Sequence, residues 1–297
     1  MLVFKGTLKQ SGIFSKLLLL LGTASFFTIL GILLWKIISN GDIADTSSLK
    51  LMQLVQSLGM FVIPPIVVAY LWSEKPISFL KIEKKLNWKS AITIVVMMII
   101  AIPLINLLGD FNQQLELPKA LVGLEAMMKS AELETAKVTE QLLNVHTLKG
   151  LSFNIFLIAL LPALGEELFF RGVLQRIFQD WKGAVAAIWV TAFIFSAIHF
   201  QFYGFLPRLL LGAFFGYLLL WSDNLWLPIL AHFSNNMMAV VFYYLKYNGY
   251  HVFDIDTIGT GNTQWLGWTS GIFVIVGIIL IKKVFINTSK NSNIILE

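Results

Sequence analysis

Two adjacent carboxylates, Glu166 and Glu167, sit in the apolar run Ala163-Leu164-Gly165-Glu166-Glu167-Leu168-Phe169-Phe170-Arg171. An ionisable side chain inside a bilayer is expensive, so a pair of them demands a partner or a task. Successive residues of a helix diverge by about 100°, so the two cannot share a face. Glu167 and Arg171 are four apart and can pair along the helix. Glu166 is then left without such a partner and becomes the candidate general base. The competing reading is an ion network at a helix end, with Arg171 reaching towards the interface.

Two further polar clusters interrupt apolar stretches. Phe195-Ser196-Ala197-Ile198-His199 places Phe195 and His199 on one helix face, and His232-Phe233-Ser234-Asn235-Asn236 does the same for His232 and Asn236. Interhelical hydrogen bonding would account for each cluster singly. Taken with Glu166 they suit hydrolysis of a peptide bond, which needs a base to activate water and donors for the oxyanion. Glu166 and His199 could bind and deprotonate the water while His232 and Asn236 hold the oxyanion. Alternatively Glu166, His199 and His232, one carboxylate and two imidazoles, could form an open zinc site. No H-E-x-x-H or G-x-S-x-G motif is present, and the chain has no cysteine, so thiol catalysis is excluded. A proton-coupled transporter using the same buried groups as a relay, or a non-catalytic protein, are the other classes.

These residues must be positioned by membrane helices. Of the 297 residues, 57% are hydrophobic and 13% charged, too apolar for a soluble chain. Runs of about 20 apolar residues predict an all-α polytopic protein with about eight spans: 13–38, 51–72, 88–108, 151–170, 184–199, 209–221, 225–245 and 265–281. The first resembles a signal peptide but is too long for one and reads as an uncleaved anchor. Pro64, Pro65 and Pro103 fall inside spans, where neighbouring helices can tolerate them. The net charge of +5 maps to alternate helix ends: Lys5, Lys9 and Lys16; Lys75, Lys81, Lys84, Lys85 and Lys89; Arg171, Arg176 and Lys182; Lys282, Lys283 and Lys290. That distribution implies a lipid bilayer rather than nucleic acid as partner, and a multi-pass cell-membrane protein with both termini cytoplasmic.

Residues 109–149 break the pattern. From Leu117 to Leu143 apolar residues recur at near-helical spacing (Leu121, Leu124, Met128, Ala131, Leu142), and Pro118 could open the helix. An amphipathic helix on the outer surface is expected, as a plain cover or as a lid that handles substrate. Residues 287–297 read as a disordered tail after an integral membrane domain over 1–286. One geometrical tension remains. At about 1.5 Å per residue, Glu166 and His232 fall near the basic end of their helices and His199 near the opposite end of its own. Either the fifth helix starts deep in the membrane, or residues 172–181 continue the fourth helix past Arg171, which would make Glu166 central.

The three motifs in order, Glu166-Glu167-x-x-x-Arg171, Phe195-x-x-x-His199 and His232-x-x-x-Asn236, resemble those of the CPBP intramembrane proteases. That family includes the CAAX prenyl proteases (Rce1-like enzymes) and bacterial bacteriocin-processing or self-immunity proteins. The resemblance covers about residues 150–245 as a protease core. It implies an intramembrane endopeptidase in which Glu166 and His199 activate water, His232 and Asn236 form the oxyanion site, and Glu167 with Arg171 supports the architecture. A metal-free, glutamate-dependent mechanism is the favoured implication, with no certain cofactor and zinc as the variant. Short basic loops and the absence of a targeting sequence suggest a bacterial inner-membrane protein. A peptide or membrane-protein substrate is therefore expected rather than a prenylated one.

Overall fold

A computed structural model describes residues 4–116, 118–251 and 254–294, with side chains up to residue 285. The architecture is all-helical, with no strand among the described residues. The helices are α1 (Ile13–Ser39), α2 (Thr46–Trp72), α3 (Trp88–Gln113), α4 (Val122–Leu143), α5 (Leu148–Lys182), α6 (Ala184–Ala197), α7 (Phe205–Ser222), α8 (Trp226–Tyr247) and α9 (Gln264–Ile294). Among the described residues, five of these, together with the helical stretch Phe202–Ser222 that contains α7, make six segments long and apolar enough to cross a membrane: α1, α2, α3, α5, Phe202–Ser222 and α9. The other two of the eight sequence spans are also helical, but α6 has only 14 residues and the 22-residue α8 is interrupted by His232, Ser234, Asn235 and Asn236. The apolar side chains that remain exposed on α1, α3, α6 and α9, such as Phe26, Ile37, Ile99, Phe193 and Phe273, are what a lipid solvent requires.

Helix α5 is where the boundaries drawn from hydropathy were furthest from the structure. It runs through 35 residues and does not stop at Phe170. Residues 172–181 continue it, and Glu166 and Glu167 lie near its middle. Arg171, expected among the flanking basic residues, is instead 1% exposed inside this helix. Two π-helical segments, Ile155–Leu160 and Leu168–Leu174, bracket the Glu166-Glu167 turn, and a third, Ser57–Val62, lies in α2. Wide turns of this kind recur at functional sites.

Glycines set the closest crossings, as small residues do between membrane helices. A β-carbon on Gly59 of α2 would stand 2.6 Å from the Phe27 carbonyl oxygen of α1. One on Gly165 would stand 2.9 Å from both Phe61 and Val62, so α5 meets α2 one residue before Glu166. Helices α6 and α7 cross at Gly212 against Ala192 and Phe195. Helix α9 runs antiparallel to α3, with Gly267, Gly271 and Gly277 facing Leu107, Leu104 and Met97 in turn.

The basic ends meet on one side. Lys16 lies 3.8 Å from Asp180, Arg176 donates to the Phe79 carbonyl, and Lys81 and Lys84 both bind Asp223 at the α7–α8 turn. On the opposite side lies α4, preceded by a 3-10 turn Lys119–Leu121 that Pro118 caps; Leu117, the expected helix start, is outside the described residues. Its apolar stripe is only partly covered: Leu142 and Leu143 are buried, while Leu121 and Leu124 are exposed. The tail expected over 287–297 coincides with the end of α9, whose backbone is helical to Ile294; residues 295–297 lie outside the described residues.

Gly165→Val should wedge α5 from α2. Overpacking of this kind costs about 1–3 kcal/mol, readable as a lower thermal midpoint in detergent. The same change at Gly109, whose β-carbon would meet nothing within 4 Å, should leave the midpoint nearly unchanged.

Candidate active site

The centre of the protein is an ion pair with no exposed surface. Arg171 Nη1 donates to Glu167 Oε1 at 2.8 Å, and neither side chain is exposed. One helical turn separates the two residues, so α5 alone brings them together. Arg171 Nη2 donates to the Gly212 carbonyl of α7 at 2.9 Å. Three phenyl rings enclose the guanidinium: Phe195 at 4.6 Å, Phe215 at 5.4 Å and Phe170 at 5.8 Å. Cation–π contact of this sort strengthens when water is excluded.

Glu167 has a second partner that the sequence did not reveal. His232 Nδ1 lies 2.9 Å from the same Oε1 that binds Arg171. A carboxylate only accepts at this site, so Nδ1 carries the hydrogen. Nε2 on the far side of the ring then faces Glu166 Oε2, 3.9 Å away. The imidazole of α8 is thus held between two carboxylates of α5, with Phe215 stacked on it at 5.3 Å. Glu166 Oε2 and Glu167 Oε2 are both buried without a hydrogen-bond partner.

His199 sits two residues beyond the last turn of α6, where its Nδ1 donates to the Phe195 carbonyl at 2.7 Å. Nε2 is left to act as an acceptor. The Phe195 ring touches both imidazoles edge-on, His199 at 5.1 Å and His232 at 5.8 Å. Phe195 therefore spaces the two histidines as well as walling Arg171. Asn236 lies one turn along α8 from His232, and the contact seen for its side chain is to Asn235 Nδ2 at 3.4 Å. Glu167 and His232 are joined directly, Glu166 Oε2 faces His232 Nε2 at 3.9 Å, the Phe195 ring links His199 to His232, and Asn236 stands at the margin. Among the described residues no three His, Asp or Glu side chains are spaced to hold a metal ion, so Glu166, His199 and His232 as placed do not form the zinc set that their types allow.

Sequence reasoning also missed Arg208 on α7. Its guanidinium donates to Gln201 Oε1 at 2.7 Å and to the Gln201 carbonyl at 3.3 Å. A signal was available: Arg208 opens a span at the end that should be poor in basic residues.

Comparisons with known proteins fall on the same segment. A family model described as type II CAAX prenyl endopeptidase Rce1-like matches residues 149–238, from the first turn of α5 past Asn236. An uncharacterized protein of Bacillus subtilis (strain 168), YpbD, is 32% identical over 84 residues, which is 27% of this chain and 40% of that relative. The shared stretch is therefore less than half of that protein's length. No solved structure matches.

The two glutamates should separate in a stability measurement. Glu167→Ala leaves a buried guanidinium uncompensated, a change that costs about 3–5 kcal/mol, and should strongly depress the unfolding midpoint or the folded yield. Glu166→Ala removes a side chain with an unpartnered oxygen and should leave the midpoint close to that of the unaltered protein.

Proposed function

We propose that this chain, whose residues 149–238 match the Rce1-like family model, is an intramembrane endopeptidase that hydrolyses a peptide bond with water activated by Glu166 and His199. The observation that carries this reading is the pair of buried carboxylates with opposite commitments. Glu167 is tied through Oε1 to both Arg171 and His232, while Glu166 is bonded to neither and its Oε2 faces His232 Nε2 at 3.9 Å; the second oxygen of each carboxylate is buried without a partner. That separation is too long for a direct hydrogen bond and leaves Glu166 able to accept a proton.

The roles follow from which atoms are already occupied. His199 donates through Nδ1 to Phe195, so its Nε2 accepts from the attacking water and orients it. Glu166 removes the proton as the water oxygen bonds to the scissile carbonyl carbon. The carbonyl oxygen becomes an oxyanion, for which Asn236 Nδ2 and His232 are the donors. His232 spends its Nδ1 hydrogen on Glu167, so it donates through Nε2 only as imidazolium. When the carbon–nitrogen bond breaks, the proton held by Glu166 passes to the leaving amine, and the carboxylate is regenerated. Every step uses groups of this chain, with a peptide or membrane protein as substrate.

Purified protein in proteoliposomes, incubated with a proteome-derived peptide pool and read by mass spectrometry, tests the proposal. Glu166→Ala, His199→Ala and His232→Ala should each lower cleavage by about 100-fold or more, the range of a lost general base, with helical content retained. Cleavage that persists in Glu166→Ala overturns the assignment. Addition of a chelator should leave the rate unaltered, and a chelator-sensitive rate restored by zinc would replace the metal-free mechanism.

A further inference from the structure

A cleft of about 600 Å³ runs along α7 between α3 and α9, within the size range of small-molecule sites. It exists because α9 leans on α3 rather than on α7: Gly267, Gly271 and Gly277 seat it against Leu107, Leu104 and Met97. The short α6 contributes one side chain to the lining, Trp189. Leu104, Leu211 and Ile278 are half-buried in the walls, while Ile275 and Ile279 of the same lining are exposed, so the cleft opens sideways towards lipid. Along α7 the lining extends from Pro207 to Trp221. At 1.5 Å per residue that is about 21 Å, somewhat more than the roughly 15 Å that one leaflet contributes to the hydrocarbon core.

The two ends of the cleft differ. At the Pro207 end the walls are tied together, because Asn112 of α3 donates to the Phe202 carbonyl and accepts from the Leu206 amide, just before α7. At the other end stand Trp221, stacked on Tyr217 at 5.3 Å, and Lys282. Tryptophan and tyrosine gather where the bilayer meets water, and the Lys81–Asp223–Lys84 cluster lies just beyond, at the α7–α8 turn. Among the described residues that line the cleft, Lys282 alone is charged. Lys16, Lys81, Lys84 and Arg176 of this basic face each have an acceptor within the protein. Lys282 is exposed and has none among the described residues.

We propose that this cleft holds an acyl chain of an anionic phospholipid whose headgroup phosphate pairs with Lys282. The walls supply apolar contact over the depth of one leaflet, and an uncompensated lysine at headgroup level supplies the charge that selects an anion. A zwitterionic lipid meets the same walls but brings its own cation to Lys282. A second copy of the chain would need a free carboxylate at this level, and Asp180 and Asp223 of the same face are already paired. The lining contains none of Glu166, His199, His232 and Asn236, so the proposal is independent of the endopeptidase reading.

The test uses the full chain in a non-ionic detergent with an equimolar amount of phosphatidylglycerol carrying a photoreactive diazirine in one acyl chain, or of the matching phosphatidylcholine. Irradiation should place adducts on Leu104, Leu211 and Ile278. The yield with phosphatidylglycerol should exceed that with phosphatidylcholine by about fivefold, the effect of one lysine near the membrane surface. Lys282→Gln should bring the two lipids level. Lys283→Gln makes the same change of charge one residue away, outside the lining, and should keep the preference. Both lysines are exposed, so neither variant disturbs the packing of the helices. Equal yields from the two lipids overturn the proposal, as does an equal loss of preference in Lys283→Gln. Adducts on outward residues such as Phe26 and Ile29 of α1 in place of the cleft also overturn it. A dimer in light scattering whose cleft takes no adduct assigns the cleft to a second copy instead.

Discussion

Arg171 is the constraint on which the rest of the core depends. A guanidinium in the middle of a membrane helix must find its counter-charge and its hydrogen-bond acceptors within the protein. Each solution to that problem recruits another helix. Glu167 comes from the preceding turn of α5, the Gly212 carbonyl from α7, and rings from α5, α6 and α7. Gly212 can offer its carbonyl because α6 packs against it so closely that a side chain there would collide with Ala192 and Phe195. Glu167, once placed, fixes His232 on α8. One charge thus orders four helices, and the chemistry proposed for Glu166 stands on that order.

The sequence conveyed the parts of this arrangement that depend on local spacing. The Glu167–Arg171 pair is a four-residue relation within one helix and was legible at once. So were the helical spans, since twenty apolar residues in a row have few other readings. The extent of α5 was harder. Hydropathy falls at Gln175, Arg176, Gln179 and Asp180, and a window ends the span there, although the backbone continues to Lys182. Arg171 was consequently assigned to a loop side when it lies buried. The bond from His232 to Glu167 was not legible, because it depends on how α8 packs on α5, and spacing within α8 indicates only that His232 and Asn236 share a face. Arg208 was overlooked because it stands at the edge of an apolar run, where a single arginine usually reaches for water.

The two carboxylates show how one sequence motif divides its labour. Adjacent on a helix, they must point apart, and the π-helical turn beginning at Leu168 opens immediately after them. Glu167 faces the crossing with α7 and α8 and supplies structure. Both keep a buried Oε2 without a partner, but Glu166, preceded by the Gly165 contact with α2, is not bonded to Arg171 or His232 through its other oxygen either. An unsatisfied buried oxygen is a penalty in a fold that needs only stability, and it is what a base needs to keep in hand.

The shortness of α6 carries a consequence for the lipid around it. Fourteen residues rise about 21 Å, well short of the roughly 30 Å hydrocarbon thickness. Lipids beside such a helix must thin or let their headgroups dip to meet its end. His199 lies just past that end, on the side where α4 rests. Local compression of the bilayer would bring the aqueous boundary down towards the imidazole, so that water, the co-substrate most scarce at this depth, arrives where a hydrolytic site would consume it.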